Sequence, residues 1–169
     1  MMLQSSETVK ESIKRGLLIM KLDLYFEGLM QSWRGAERGV TGDAPGKSAL
    51  VGMIGRCMGV LREDVEALKK IDDSFTIMDT FAFETTDTHE IVKKESITGI
   101  KRLVDDQVDY HGRMVQKEYL EDAKIGVTIE GEKEALMEIR EAFLHSVWPL
   151  YLGSSCCPPS GPIIRGDVY

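Results

Sequence analysis

Apolar residues along this chain follow two rhythms, and their succession predicts an order of elements. Residues 16–26, GLLIMKLDLYF, begin apolar on both faces and then alternate at Leu22, Leu24 and Phe26, a strand signal. Residues 47–59, KSALVGMIGRCMG, are apolar nearly all round, which predicts a helix buried against a sheet. Gly52 and Gly55 lower its helix propensity and point to a neighbouring backbone coming close. REDVEALKKI, 62–71, predicts a short second helix with Val65 and Leu68 inward. FTIMDTFAFE, 75–84, alternates in part, at Phe75 and Ile77 and then at Phe81 and Phe83, and reads as a strand. KIGVTIE, 124–130, is a strand with Ile125, Val127 and Ile129 on one face. EKEALMEIREAF, 132–143, is an amphipathic helix whose stripe is Leu136, Ile139 and Phe143. WPLYL, 148–152, reads as a short last strand.

Between these elements the rhythm fails. Residues 1–15 form a polar leader, and 27–46 are glycine-rich and irregular. Residues 85–122 carry a TTDT turn signal, an extended segment EIVKKESITGIKRL and a loop VDYHG, together a projecting arm or long hairpin. Residues 153–169 are a tail punctuated by proline and glycine. Leaving out the arm, residues 16–152 give β-α-β-β-α-β, the α+β ferredoxin-like (RRM-like) pattern. That architecture hosts metal-binding, RNA-binding and enzymatic proteins, so it does not choose a function.

Composition narrows the choice. The length of 169 residues suits one domain, and 43% apolar with 29% charged residues is the balance of a soluble globular chain. No apolar run approaches the roughly 20 residues that span a bilayer, and LLIM is too short for a signal-peptide core. The expectation is a cytoplasmic protein with no membrane partner and no cofactor. Cys57, Cys156 and Cys157 lack zinc-ligand or disulfide-framework spacing, and His89, His111 and His145 show no HxxxH-type pairing. The net charge of −7 opposes indiscriminate nucleic-acid binding. Its distribution is uneven: residues 1–56 hold eight Lys/Arg against six Asp/Glu, and 57–169 hold thirteen against twenty-two. An anionic partner is therefore expected at the N-terminal third, where Arg34, Arg38, Lys47 and Arg56 lie.

GDAPGKSALVGMIG, 42–55, has the look of a phosphate-binding loop but departs from GxxxxGK[ST]. Gly42 and Gly46 are separated by three residues, and Pro45 offers no N–H. A nucleotide-binding loop is disfavoured. The helix start still presents unpaired amides and a partial positive charge, so Lys47 is either an anion ligand or a solvated first-turn residue.

Five segments in order resemble the Cas-five family of CRISPR-associated proteins, in its type I-E Cascade branch. They are GLMQSW (28–33), ERGVTGDAPGKSALVGMIGRCMGVLRED (37–64), DYH (109–111), KEYLEDAKIGVTI (117–129) and LYLGSSCCPPSGPI (150–163). The family patterns are G-P-M-Q-[SA]-W, an R-P-T-x-x-x-P-[ST]-[KR]-S helix start, D-Y-H, R-E-Y-L-x-D-A and Y-L-G-R-[RK]-S-C-P. The chain departs at Leu29, at Arg38-Gly39-Val40, at Met78 and at Gly153-Ser154-Ser155, where cations or prolines are replaced. Relatives run on beyond the last segment, so a C-terminal region of theirs is expected to be missing here.

The resemblance implies a non-catalytic subunit of the RAMP superfamily with a ferredoxin-like core. It would hold the 5′ handle of the CRISPR RNA, cap the Cas-seven backbone and contact the large subunit of Cascade. Candidate RNA-binding residues are Trp33, Arg38, Lys47, Ser48, Tyr110, His111, Arg113 and Lys117. Lys47 and Ser48 would meet phosphate, Trp33 and Tyr110 would stack, and the others would serve as polar partners. Trp33 alternatively covers the core edge, Tyr110 and His111 alternatively pack on each other, and Arg113 and Lys117 are alternatively solvated. No strand carries an aromatic RNP1 pattern, so stacking across the sheet face is not expected. A competing reading is a metal-independent endoribonuclease cutting CRISPR repeat RNA, as in type I-C relatives, with Tyr110, His111 and Lys117 supplying base and cation.

Overall fold

A computed structural model of the chain describes residues 16–35, 41–83, 92–104 and 107–169, except for the side chains of 92–117. The leader 1–15, Arg38 and residues 85–91 of the expected arm lie outside the described residues. The elements are strand β1 (Ile19–Glu27), the two-residue strands β2 (Met30–Gln31), β3 (Trp33–Arg34) and β4 (Thr41–Gly42), and helices α1 (Lys47–Met58) and α2 (Val65–Ser74). They continue with β5 (Phe75–Ala82), β6 (Val92–Val104), β7 (Gln107–Glu121), β8 (Lys124–Glu132) and α3 (Lys133–Leu144).

The main sheet is antiparallel in the order β1-β8-β5. Both β1 and β5 run antiparallel to β8, so they are parallel to each other and joined by a crossover containing α1 and α2. This α+β arrangement follows from the alternation in the sequence. Leu22 lies opposite Ile129, Leu24 opposite Val127 and Phe26 opposite Ile125, so the apolar positions of both strands share one face. All six are buried, in a core that also holds Leu50 and Ile54 of α1 and Leu136 and Ile139 of α3. Each fully buried side chain of this size contributes roughly 1.5–3 kcal/mol.

The helices begin and end where local chemistry directs. Gly59, at φ 75°, closes α1 in the left-handed region, with its N–H bonded to the Arg56 carbonyl. Asp64 caps α2 by accepting the Ala67 amide at 3.0 Å. Because α2 starts at that cap, Val65 sits at its first turn and is 71% exposed, correcting the inward placement expected for it. Ile71 is the residue this helix buries. The expected close backbone is corrected: at Gly55 the neighbour is the Leu68 side chain, whose Cδ2 would stand 2.8 Å from an added Cβ, and Gly52 faces open space.

The last expected strand is corrected. Residues 148–152 form no strand. Pro149 has no ladder donor, and the edge of β1 is already occupied. Ile163 accepts the Tyr25 amide at 2.9 Å, and Lys21 and Tyr169 exchange two backbone hydrogen bonds of 2.7 and 3.0 Å. Residues 163–169 of the tail thus run beside β1. Arg165 secures them, with an ion pair to Glu27 at 2.7 Å and its guanidinium 4.6 Å from the Phe83 ring and 5.1 Å from the Tyr25 ring.

The partial alternation of β5 has a structural cause. A register shift between Ile77 and Asp79 lets Phe75 face the core while Phe81 lies opposite Gly126 on the other face. There Phe81 and Phe83 meet Tyr25 edge-on, with ring centroids 6.0 and 5.1 Å apart. Gly126 leaves room for Phe81, whose ring would lie 2.2 Å from an added Cβ.

β6 and β7 pair as an antiparallel hairpin, from Val92 opposite Glu121 to Val104 opposite Gln107. The base of β7 also pairs with β2, through Met30–Glu121 and Gln31–Leu120. The stretch VDYHG, expected as a loop, is therefore strand.

Candidate nucleic-acid interface

The start of α1 was the first candidate anion site. Gly46 occupies its N-cap in an extended conformation and supplies no side-chain cap, and the first turn holds no acidic residue. Ser48 is exposed beside it. Lys47 is placed differently. Its ammonium donates to the Phe75 carbonyl, lies 3.7 Å from the Asp72 carboxylate and stands 3.8 Å from the Phe75 ring centroid. Burial lowers its pKa below the ordinary lysine value, partly offset by Asp72 and Asp73. The folded state thus binds protons on Lys47 less readily than the unfolded chain. Its contribution makes stability rise with pH between the lowered value and 10.5, where the unfolded lysine titrates. Lys47 pins the start of α1 to the end of α2.

Arg56 is also engaged, donating to the Pro149 carbonyl at 2.5 Å and lying 5.0 Å from the Tyr151 ring centroid. Of the four expected cations in this third, Arg34 is exposed on β3.

Trp33 lies in the core at 2% exposure. Its ring meets Phe26 edge-on at 5.6 Å, and its indole N–H donates to Gln31 Oε1 at 3.0 Å. Gln31, at 0% exposure, donates from Nε2 to the carbonyls of Phe26 at 3.0 Å and Ala123 at 2.7 Å. One amide side chain therefore binds the end of β1, the β7–β8 junction and the indole. The loop 152–157 closes over this clasp. The Ser32 amide donates to the Leu152 carbonyl at 3.0 Å, and Leu152 donates to Cys157 at 2.7 Å. Gly153 adopts φ +89°, and a Cβ there would lie 1.6 Å from the Ser32 carbonyl oxygen. Gly28 permits the same closeness, since its Cβ would stand 2.8 Å from Leu152 Cδ1. Three of the quoted segments, GLMQSW, KEYLEDAKIGV and LYLGSSCC, thus meet in one buried junction.

Sequence reasoning singled out Trp33 in this junction and missed Gln31. The available signal was a lone amide between Met30 and Trp33, three residues after Gly28, in a segment that turns straight off a buried strand. Arg165 was missed for another reason: nothing local links a tail arginine to rings on β1 and beyond β5.

The remaining candidates lie on the hairpin. Arg113 sits opposite Ile100 and Lys117 opposite Ser96. Tyr110 and His111 fall where the register shifts, between the Ile100–Arg113 and Arg102–Asp109 pairs, so β7 carries two residues more than β6 there. Bulges of this kind redirect side chains and recur at binding sites. The structure therefore separates the candidates into a core residue, Trp33, a helix-start pair, Lys47 and Ser48, and four positions on β7.

Comparison with known proteins defines the class. The profile described as "CRISPR-associated protein (Cas_Cas5)" matches residues 22–168, and the chain belongs to this Cas5 family. It is 29% identical over 167 residues to the CRISPR system Cascade subunit CasD of Escherichia coli (strain K12), with 90% of this chain and 71% of that protein covered. Two solved chains share the fold. One, described as "CRISPR RNA-guided surveillance complex", gives a TM-score of 0.65 at 23% identity over 85% of this chain. The other, "Crystal structure of Cas protein", gives 0.53 at 23% identity over 87% of it. This chain spans 61% and 63% of their respective lengths. Among the described residues, no helix is long and apolar enough to cross a membrane.

Proposed function

We propose that this protein is a non-catalytic, CRISPR RNA-binding subunit of a type I-E Cascade antiviral complex, acting in the cytoplasm. The observation that carries the reading is the Cas5-family match across residues 22–168. The similarity to CasD over 90% of the chain supports the type I-E assignment. In this reading the β1-β8-β5 sheet is a ferredoxin-like core, with residues 163–169 taking the place of its fourth strand. The subunit holds the 5′ handle of the guide RNA, caps the Cas-seven backbone and touches the large subunit.

The proposed RNA contacts are Ser48 with the free amides of the α1 start, Arg38, and Tyr110, His111, Arg113 and Lys117 on β7. Trp33 supports that surface from beneath, and Lys47 holds α1 against α2 without touching phosphate. Single-stranded RNA binding loses affinity with salt at a log–log slope of about −0.7 per neutralised phosphate. Arg113→Ala and Lys117→Ala should each reduce that slope by about 0.7, whereas Lys47→Met should leave it unchanged. A slope altered by Lys47→Met alone would return Lys47 to the phosphate contacts.

Coexpression with the remaining subunits of a type I-E Cascade tests the whole reading. The chain should copurify with them and with small RNA whose 5′ end resists ribonuclease. Equal protection in a complex lacking this chain would overturn the handle assignment. Incubation of the purified protein with repeat RNA in EDTA should yield no product. A product abolished by His111→Ala would make it a ribonuclease instead.

A further inference from the structure

The thiols of Cys156 and Cys157 take no part in the roles assigned above. Neither cysteine is in a disulfide, and their sulfurs are 3.8 Å apart. They differ sharply in setting: Cys156 is exposed, whereas Cys157 is fully buried in the core. Two hydroxyls surround the exposed sulfur, Ser154 Oγ at 3.4 Å and Tyr119 Oη at 3.8 Å. From the juxtaposition of an open, hydroxyl-flanked sulfur with a sheltered second sulfur, we propose that Cys156–Cys157 is a covalent modification site for hydroperoxides, with Cys156 the attacked thiol and Cys157 the resolving one.

The chemistry is balanced in two steps. The Cys156 thiolate attacks the distal oxygen of the hydroperoxide, its sulfur is oxidised to the sulfenic acid, and the O–O bond breaks to release water or an alcohol. The Cys157 sulfur then displaces hydroxide from the Cys156 sulfur. The thiol proton joins that hydroxide as water, and an S–S bond remains. The hydroperoxide is the two-electron oxidant. The Ser154 hydroxyl lowers the Cys156 pKa and favours its thiolate, while burial pushes Cys157 up to about 12. Closure requires loss of the Cys157 proton, which burial disfavours.

Adjacent residues hold their Cα atoms about 3.8 Å apart, below the usual disulfide range of about 4.4–6.8 Å. The closed ring is strained and readily reduced by thiols. Closure also pulls on the loop that covers the clasp, since Cys157 accepts the Leu152 amide and donates to the Ser154 carbonyl. The site thereby links oxidation to the junction around Gln31 and Trp33.

The test exposes the folded protein to hydrogen peroxide, blocks free thiols with N-ethylmaleimide and maps the peptides. The expected result is a Cys156–Cys157 peptide that loses both maleimide labels and two hydrogen atoms and regains the labels after dithiothreitol. Cys57, 1% exposed, should stay fully labelled after unfolding. Cys156→Ser carries the residue of the family pattern and should keep Cys157 labelled throughout. In Cys157→Ser, Cys156 should stall as a dimedone-trapped sulfenic acid. Advance of wild-type Cys156 to sulfinic acid with Cys157 still labelled, or oxidation of Cys156 no faster than Cys57, would overturn the proposal. If Cys157→Ser fails to fold, the wild-type and Cys156→Ser maps decide it.

Discussion

Gln31→Leu should lower the unfolding free energy by about 3 kcal/mol or more, read from urea denaturation with an unchanged slope. Leucine fills nearly the same space, so the effect isolates the amide. Its loss removes three buried hydrogen bonds, to the Phe26 and Ala123 carbonyls and from the Trp33 indole N–H. A buried polar group left without a partner costs roughly 1–3 kcal/mol, and the indole N–H loses its Gln31 acceptor. Gln31→Glu should be worse than Gln31→Leu at neutral pH, because it also buries a charge that cannot donate to either carbonyl. A loss below about 1 kcal/mol for Gln31→Leu would mean that the junction repacks.

Gly153→Ala should cost about 2–5 kcal/mol, combining the left-handed backbone penalty with overpacking. Its φ of +89° is one part, and a Cβ 1.6 Å from the Ser32 oxygen is the other. The loop must lift, which breaks the Ser32–Leu152 hydrogen bond. Since Gln31→Leu weakens the same junction, the double variant should lose clearly less than the two single losses added. Full additivity in a thermal or urea titration would show that loop and clasp are independent.

Much of the scaffold was legible because short-range pattern encodes it. Helix 47–59 appears as Lys47–Met58, strand 124–130 as Lys124–Glu132 and helix 132–143 as Lys133–Leu144. The second helix was expected three residues early because the Asp64 cap is a hydrogen-bond event that hydrophobic rhythm does not register. The last strand failed because its place beside β1 is filled from the tail, whose PSGPIIRGDVY has no period-two signal. Phe81 and Phe83 sit an even number of residues after Phe75 and Ile77, yet the shift near Met78 sends them to the opposite face. A bulge of this kind leaves no simple imprint on alternation.

The candidate site was legible only as chemistry. Residue type marked Lys47 as a cation and Trp33 as either a stacking ring or a cover of the core edge, and the fold buries Trp33 in the core. Their directions depend on Phe75, Asp72 and Gln31, partners supplied by the folded chain. The family resemblance held across residues 22–168, while residues of three of the quoted segments serve the buried junction.

That junction also has a kinetic side. Gln31 and Ala123 are 92 residues apart in sequence, so their bond can close only after most of the chain has been brought together. Contacts of such long range carry a loop-closure cost that must be met before they stabilise the chain. Substitutions there should leave the refolding limb of a chevron nearly unmoved and steepen escape from the native basin, which makes this small polar knot a determinant of how long the folded molecule lasts.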